Sequence, residues 1–121
     1  MAKILIIDDD AQVLATLRKM LEHEGYEVVT TPDGLKGVKY YRENPADLII
    51  TDLIMPEKEG VETITELRQD FPNVRIIAIS GGWRNDPERY LRIAKNLGAQ
   101  YAFTKPVKRK ELLNAVRELL K

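Results

Sequence analysis

The chain has 121 residues, with 19 basic and 19 acidic side chains and a formal net charge of zero. This length suffices for one buried core, so residues 1–121 are expected to form one domain. The balanced charge argues against nucleic acid as the main partner, because binding to a phosphate backbone needs a basic surplus. Cysteine is absent, which excludes disulfides and thiol chemistry; since no apolar segment is long enough for a signal peptide or a membrane span, a cytoplasmic location is expected.

Apolar runs of strand length alternate with segments of helical periodicity along the chain. This alternation is typical of a parallel sheet covered by helices. The runs around Ile4, Leu48 and Ile76 are apolar without alternation, as expected for strands that are buried on both faces. The five predicted strands cover residues 4–7, 26–30, 47–51, 74–80 and 100–104.

The first predicted helix runs from about Ala11 to Glu24, with Asp10 placed to cap its N-terminus and Gly25 placed to end it. Its apolar residues recur at the spacing of one helical face. Asp33 is placed to cap the second helix in the same way. We predict the other four helices at about residues 35–43, 61–71 and 87–98, and over a last segment that includes residues 112–120.

The order of the strands follows from the handedness of their connections. Crossovers between parallel strands are right-handed almost without exception, and helices on both faces require the chain to reverse its direction across the sheet. The strand order 2-1-3-4-5 meets both conditions. We therefore predict a doubly wound α/β fold with a five-stranded parallel sheet, in which strands 1 and 3 are neighbours and bring the acids that follow them together.

Four of the predicted strands end in residues that suit phosphate or metal chemistry. Asp8 and Asp9 follow strand 1, and Asp52, Ser80 and Lys105 stand at the ends of strands 3, 4 and 5. Because the carboxyl ends of parallel strands meet at one edge of a sheet, these side chains are expected to share one pocket. Adjacent carboxylates repel one another unless a cation intervenes, and Mg²⁺ prefers hard oxygen ligands. The set therefore predicts an aspartyl phosphate stabilised by Mg²⁺, a lysine and a hydroxyl group.

Each of these signals is weak by itself. Asp10 is better explained as a helix cap than as a ligand, and an aspartate after a buried strand, such as Asp52, is often a turn residue. Ser80 precedes two glycines, as serines in ordinary loops do. The single histidine, His23, cannot form a zinc site without cysteines and is expected on the surface. The interpretation depends on co-occurrence, since the signals lie in order at the same end of the predicted strands.

Four segments carry a further signal: KILIIDDD, DLIITDLIMP with Gly60 shortly after it, IIAIS and GAQYAFTKP. In order and spacing they resemble the receiver domain of bacterial two-component response regulators. The resemblance covers essentially the whole chain and implies a flavodoxin-like fold of five βα units. It also implies a phosphorylation switch rather than an enzyme with an external substrate, because such a domain catalyses only its own phosphorylation and dephosphorylation.

The resemblance implies a role for each acid of the site. Asp52 would accept the phosphoryl group and contribute to the metal site. Asp9 would ligate Mg²⁺ directly, and Asp8 would help to hold the metal through water. The backbone carbonyl group of Ile54 would be a further ligand.

The resemblance also assigns the hydroxyl and the lysine. Ser80 would take the switch role that a serine or threonine has in this family, and Lys105 the lysine role. The bond between Lys105 and Pro106 is often cis in the family, which would aim the lysine inward. Histidine kinases or histidine phosphotransfer proteins would donate the phosphoryl group.

The chain departs from the family pattern in two places. Many receivers have a tyrosine or phenylalanine three residues before the lysine, where this chain has Ala102. The segment from Ser80 to Gly98 is also roughly three residues longer than in common receivers, with the excess in residues 81–85. One hypothesis is that the switch acts through this glycine-containing loop and repositions Trp83; the alternative is that Trp83 is a surface residue without a role.

Two other classes of function stay open. An aspartyl-phosphate hydrolase of the haloacid dehalogenase type would use Asp8 and Asp10, which form a D-x-D pattern after the first strand, although that family generally needs a larger chain. A degenerate receiver would only bind partners and would not be phosphorylated by acetyl phosphate. The carboxylate that carries the label separates an active receiver from the hydrolase, since the receiver is labelled at Asp52 and the hydrolase at Asp8.

Overall fold

The computed structural model describes residues 1–53, 60–81 and 87–121. Within these ranges the chain forms five strands and five helices that alternate. The strands are β1 (Lys3–Ile7), β2 (Glu27–Thr31), β3 (Leu48–Asp52), β4 (Ile76–Ser80) and β5 (Tyr101–Thr104). The helices are α1 (Ala11–His23), α2 (Gly34–Glu43), α3 (Gly60–Asp70), α4 (Pro87–Asn96) and α5 (Arg109–Leu120). No helix in these ranges is long and apolar enough to span a membrane.

The five strands form one parallel sheet in the order β2-β1-β3-β4-β5, which confirms the predicted fold class and strand order. The described residues pack into two apolar cores, one on each face of the sheet. Ile4 and Ile6 belong to the core with α1 and α5, whereas Leu5 and Ile7 belong to the core with α2, α3 and α4. This division follows from the alternation of side chains along a strand.

The predicted caps of the first two helices are confirmed. The carboxylate of Asp10 accepts a hydrogen bond from the N–H group of Gln12 at 2.9 Å. The carboxylate of Asp33 accepts one from the N–H group of Lys36 at 2.8 Å. Gly25 follows the end of α1 with a φ of +94°, in the left-handed region that favours glycine. The caps therefore set where α1 and α2 begin relative to the strands that precede them.

Several boundaries differ from the predicted ones by one or two residues. β4 begins at Ile76 rather than at Val74, because the side chain of Gln100 takes the place of a strand neighbour there. Its Oε1 accepts a hydrogen bond from the N–H group of Ile76 at 2.7 Å, and its Nε2 donates one to the carbonyl group of Val74 at 3.3 Å. Asp52 is itself the last residue of β3, paired with Ile79 of β4.

The register of the sheet aligns the ends of four strands. Ile7 pairs with Thr51, and Ser80 pairs with Thr104. Asp8 and Lys105 are therefore the first residues beyond β1 and β5. All five residues of β3 and of β4 are buried, so these two strands fix the middle of this edge.

Candidate functional site

Three acidic side chains converge at the carboxyl edge of the sheet. Asp8, Asp9 and Asp52 each offer a carboxylate oxygen, and these oxygens lie within 4.8 Å of one another. Asp8 has no exposed surface and Asp52 is 5% exposed, whereas Asp9 is exposed. Two buried carboxylates and one that faces solvent form a cluster with a concentrated negative charge, which requires a nearby cation.

Lys105 supplies a cation to the two buried acids. Its Nζ atom lies 2.8 Å from Oδ2 of Asp8 and 3.1 Å from Oδ2 of Asp52. Burial, the largest single influence, lowers the pKa of Lys105, but the two carboxylates together outweigh it and the pKa is raised. The lysine therefore stays protonated at neutral pH. The peptide bond between Lys105 and Pro106 is cis, as the resemblance implied.

Backbone groups hold Asp8 in place. Its Oδ1 accepts a hydrogen bond from the N–H group of Asp10 at 2.9 Å, and its own N–H group donates to the carbonyl group of Thr31 at 3.2 Å. The carboxylate of Asp10 itself caps α1, which leads away from the cluster. Asp10 is thus a cap, as the sequence indicated, and it does not belong to the cluster of Asp8, Asp9 and Asp52.

Ser80 brings a hydroxyl group to the same edge. The residue is 3% exposed, and its Oγ has no hydrogen-bond partner within the described part of the chain. A buried polar atom without a partner is uncommon in proteins and is a feature of sites that bind a further group. The carbonyl group of Ser80 accepts a hydrogen bond from the N–H group of Lys105 at 2.9 Å, so the two residues are joined through their backbones.

Gly81 contacts the lysine, a contact that the sequence did not reveal. A Cβ atom at position 81 would lie 2.8 Å from Cδ and 2.9 Å from Cβ of Lys105. The sequence marked Gly81 only as part of a glycine-containing loop. The signal was its position directly after Ser80, because Thr104, the residue before the lysine, pairs with that serine.

Two predicted features lie outside the described residues. They are the carbonyl group of Ile54 and the loop of residues 82–86, which includes Trp83. At Ala102 the structure is informative, because this small residue packs against the core with α2, α3 and α4. Tyr101 and Phe103 lie on the other face, where their rings are stacked with centroids 6.3 Å apart.

The fold and the site together define a class of protein. It is an α/β protein with a parallel sheet whose carboxyl edge holds a carboxylate cluster, a paired lysine and a buried hydroxyl group that has no partner in the part of the chain described. Such a set matches the hard oxygen ligands that small divalent cations prefer. It also provides a cation and a hydrogen-bond donor for a phosphoryl group.

Comparisons with known proteins agree with this class. The family model of the response regulator receiver domain matches residues 4–117. The transcriptional regulatory protein CpxR of Escherichia coli is 32% identical over 121 residues, which are 100% of this chain and 50% of CpxR. A response regulator receiver domain protein from Clostridium thermocellum is 30% identical, with a TM-score of 0.90 over 99% of this chain and 94% of that one.

A further solved structure is the response regulator protein TrrA of Thermotoga maritima, in complex with Mg(2+)-BeF. It is 28% identical, with a TM-score of 0.86 over 98% of this chain and 99% of that one. The chain therefore belongs to the response regulator receiver domain family of two-component systems. It spans about half the length of the curated relatives that it matches.

Proposed function

We propose that this chain, residues 1–121 acting as one receiver domain, accepts a phosphoryl group on Asp52 in a reaction that depends on Mg²⁺. A histidine kinase or a histidine phosphotransfer protein would be the donor, and the conformation would switch on phosphorylation. One observation carries the proposal: the carboxylate of Asp52 lies in the acidic cluster and 3.1 Å from the ammonium group of Lys105.

The position of Asp52 in the sheet supports its choice as the acceptor. β3 lies between β1, which leads into Asp8, and β4, which ends at Ser80. Asp52 therefore has the other acids on one side and the hydroxyl group of Ser80 on the other. Asp8 is less accessible, because it has no exposed surface whereas Asp52 is 5% exposed.

The donor set fits Mg²⁺. Asp8, Asp9 and Asp52 would hold the ion, and the exposure of Asp9 leaves one side of the cluster open to the water ligands that Mg²⁺ retains. The proposal includes the backbone carbonyl group of Ile54, which lies outside the described residues, as a further ligand of Mg²⁺. When bound, Mg²⁺ supplies positive charge against the phosphoryl oxygens and the three carboxylates. The Mg(2+)-BeF complex of the Thermotoga relative supports this assignment.

The residues of the chain would share the work of the transfer. A carboxylate oxygen of Asp52 attacks phosphorus, and the bond from phosphorus to the donor nitrogen breaks. The electron pair stays on the imidazole of the donor, which takes up a proton, and Asp52 becomes an acyl phosphate. Lys105 neutralises charge on the phosphoryl oxygens, and the hydroxyl group of Ser80 donates a hydrogen bond to one of them.

The wider role belongs to the same proposal. CpxR, the curated relative named above, is a transcriptional regulatory protein, and the chain covers 50% of it. Control of transcription by the phosphorylated receiver, and a cytoplasmic location, are therefore proposed by relation to CpxR. The chain's own catalysis would be confined to its phosphorylation and dephosphorylation.

Incubation with acetyl phosphate and Mg²⁺, followed by intact-mass analysis, tests the proposal. We expect one phosphoryl adduct in the wild-type protein, none after Asp52→Asn, none in excess EDTA, and an unchanged adduct in the control variant Asp10→Asn. An adduct that persists after Asp52→Asn and maps to Asp8 would contradict the assignment. A wild-type protein that forms no adduct would identify a receiver that only binds partners.

A further inference from the structure

Gly60, the first residue of α3, lies against the backbone of the proposed acceptor. A Cβ atom at position 60 would lie 1.9 Å from the carbonyl oxygen of Asp52 and 2.5 Å from Cα of Leu53. Both distances are shorter than any real contact of a Cβ atom, and both involve backbone atoms, which do not rotate away. Only a residue without a side chain allows α3 to begin this close to the end of β3.

Other glycines of the described residues differ in what they contact. A Cβ atom at Gly37 would meet Cδ1 of Ile7 at 2.4 Å, and one at Gly98 would meet Nε of Arg68 at 2.6 Å. Both neighbours are side chains, which relieve the overlap by changing rotamer. The contact of Gly60 is therefore the more rigid one, and it acts directly on the residue that carries the acceptor carboxylate.

The backbone of Leu53, the residue that follows Asp52, is held by hydrogen bonds in two directions. On one side, the N–H group of Leu53 donates a hydrogen bond to the carbonyl group of Ile79 in β4 at 3.1 Å. On the other side, the N–H group of Gly60 donates one to the carbonyl group of Leu53 at 3.0 Å. The position of α3 and the hydrogen bonding of the sheet thus together determine the direction of the backbone that follows Asp52.

We propose that Gly60 is a positioning residue for Asp52. Because Gly60 has no side chain, the first turn of α3 packs directly on the peptide group that follows Asp52. This contact fixes the carboxylate of Asp52 relative to Lys105 and the other acids. The inference rests on the proposed function of Asp52 as the phosphoryl acceptor. It assigns Gly60 an effect on the reaction in the folded protein, beyond a contribution to folding.

The variant Gly60→Ala tests this role, because alanine favours helices and the overlap is then the only new unfavourable factor. The overlap is relieved by movement of α3 or of the Asp52 peptide group, and either movement shifts the carboxylate. We expect phosphorylation by acetyl phosphate to slow by about 10- to 100-fold, as when a reacting group is misplaced by about 1 Å. The dissociation constant of Mg²⁺, measured by titration calorimetry, is expected to rise as well.

Gly98→Ala is the matched control. Gly98 has a φ of +112° and contacts Arg68, so the substitution strains the backbone and lowers stability. It lies before β5, at the edge of the sheet opposite to the site. We therefore expect Gly98→Ala to reduce the midpoint of urea unfolding but to leave the phosphorylation rate and the Mg²⁺ affinity of the folded protein unchanged.

Each result decides the question. A folded Gly60→Ala protein that reacts and binds Mg²⁺ as the wild type does would overturn the positioning role. If the variant is partly unfolded in buffer, trimethylamine N-oxide restores the folded fraction, which circular dichroism measures, and the rates are compared there. A variant that stays unfolded even then shows a general role in folding and also overturns the inference. A wild-type protein without an adduct would instead refute the proposed function.

Discussion

Replacing Lys105 by methionine removes the ammonium group and retains most of the apolar stem. In the wild-type protein this group lies 2.8 Å from Asp8 and 3.1 Å from Asp52, both of which are buried. Lys105→Met therefore leaves two buried carboxylates next to each other without their cation. We expect the variant to be less stable than the wild-type protein in EDTA.

The size of the loss follows from the two contacts. At an effective dielectric constant of about 20, each contact corresponds to roughly 5–6 kcal/mol of attraction, most of which offsets the cost of burying the charges. Breaking a buried ion pair by removing one partner costs about 3–5 kcal/mol. Since the Lys105 side chain is 21% exposed, solvent screens part of this effect, and we expect a loss of about 2–4 kcal/mol in the free energy of unfolding.

Mg²⁺ is expected to reverse most of this loss. A ligand at 100 times its dissociation constant stabilises the folded state by about 2.7 kcal/mol. In the variant the ion meets no competing ammonium group, so its affinity should be higher and its stabilising effect larger than in the wild-type protein.

Urea unfolding in EDTA and in saturating Mg²⁺ measures both effects. The matched control is Lys110→Met, which removes the charge of an exposed lysine in the first turn of α5 and should change neither value. A Lys105→Met protein as stable as the wild type in EDTA would show that the lysine does not neutralise the two acids. Equal stabilisation of both proteins by Mg²⁺ would refute the competition between the ion and the ammonium group.

Three further predictions concern the same edge of the sheet. Although burial lowers the pKa of Lys105, its two carboxylate partners raise it overall. The stabilisation that the protonated lysine contributes is therefore fully present below the unfolded pKa of about 10.4 and is lost as pH rises through the folded pKa. Urea midpoints at alkaline pH should fall more steeply for the wild type than for Lys105→Met, and parallel curves would contradict this. Asp10→Ala should cost about 1 kcal/mol of unfolding free energy through the lost cap, while adduct formation on Asp52 persists; loss of the adduct in a folded variant would assign Asp10 a chemical role. Ser80→Ala should keep or raise the stability by up to about 1 kcal/mol, because it removes a buried hydroxyl group that has no partner among the described residues, yet slow phosphorylation by about 10- to 100-fold; a less stable variant with a normal rate would reverse both expectations.

Local sequence signals were sufficient for the architecture. The apolar runs around Leu48 and Ile76 identified strands buried on both faces, and the handedness of the connections then left the order that the sheet shows. Asp10 and Asp33 were recognisable as caps because a capping aspartate acts within three residues of its own position. The meeting of the acids at one edge followed from the strand order alone.

Contacts between distant segments were not accessible in this way. The side chain of Gln100 delays the start of β4 by bonding to backbone groups 24 and 26 residues away, and no local pattern records such a pairing. The contact between Gly60 and the backbone of Asp52 likewise depends on how α3 sits on the sheet. By contrast, the placement of Tyr101 and Phe103 on the face opposite to Ala102 was implicit in the alternation of a strand.

The hydrogen bond between the N–H group of Lys105 and the carbonyl group of Ser80 links the residue that follows β5 to the last residue of β4. If the serine is drawn toward an incoming anion, the main chain of the lysine is drawn with it. The edge strand Tyr101–Thr104 would then be displaced together with the serine. A movement of buried atoms would in this way reach the border of the sheet. Substitutions there would alter the response without touching any atom of the pocket.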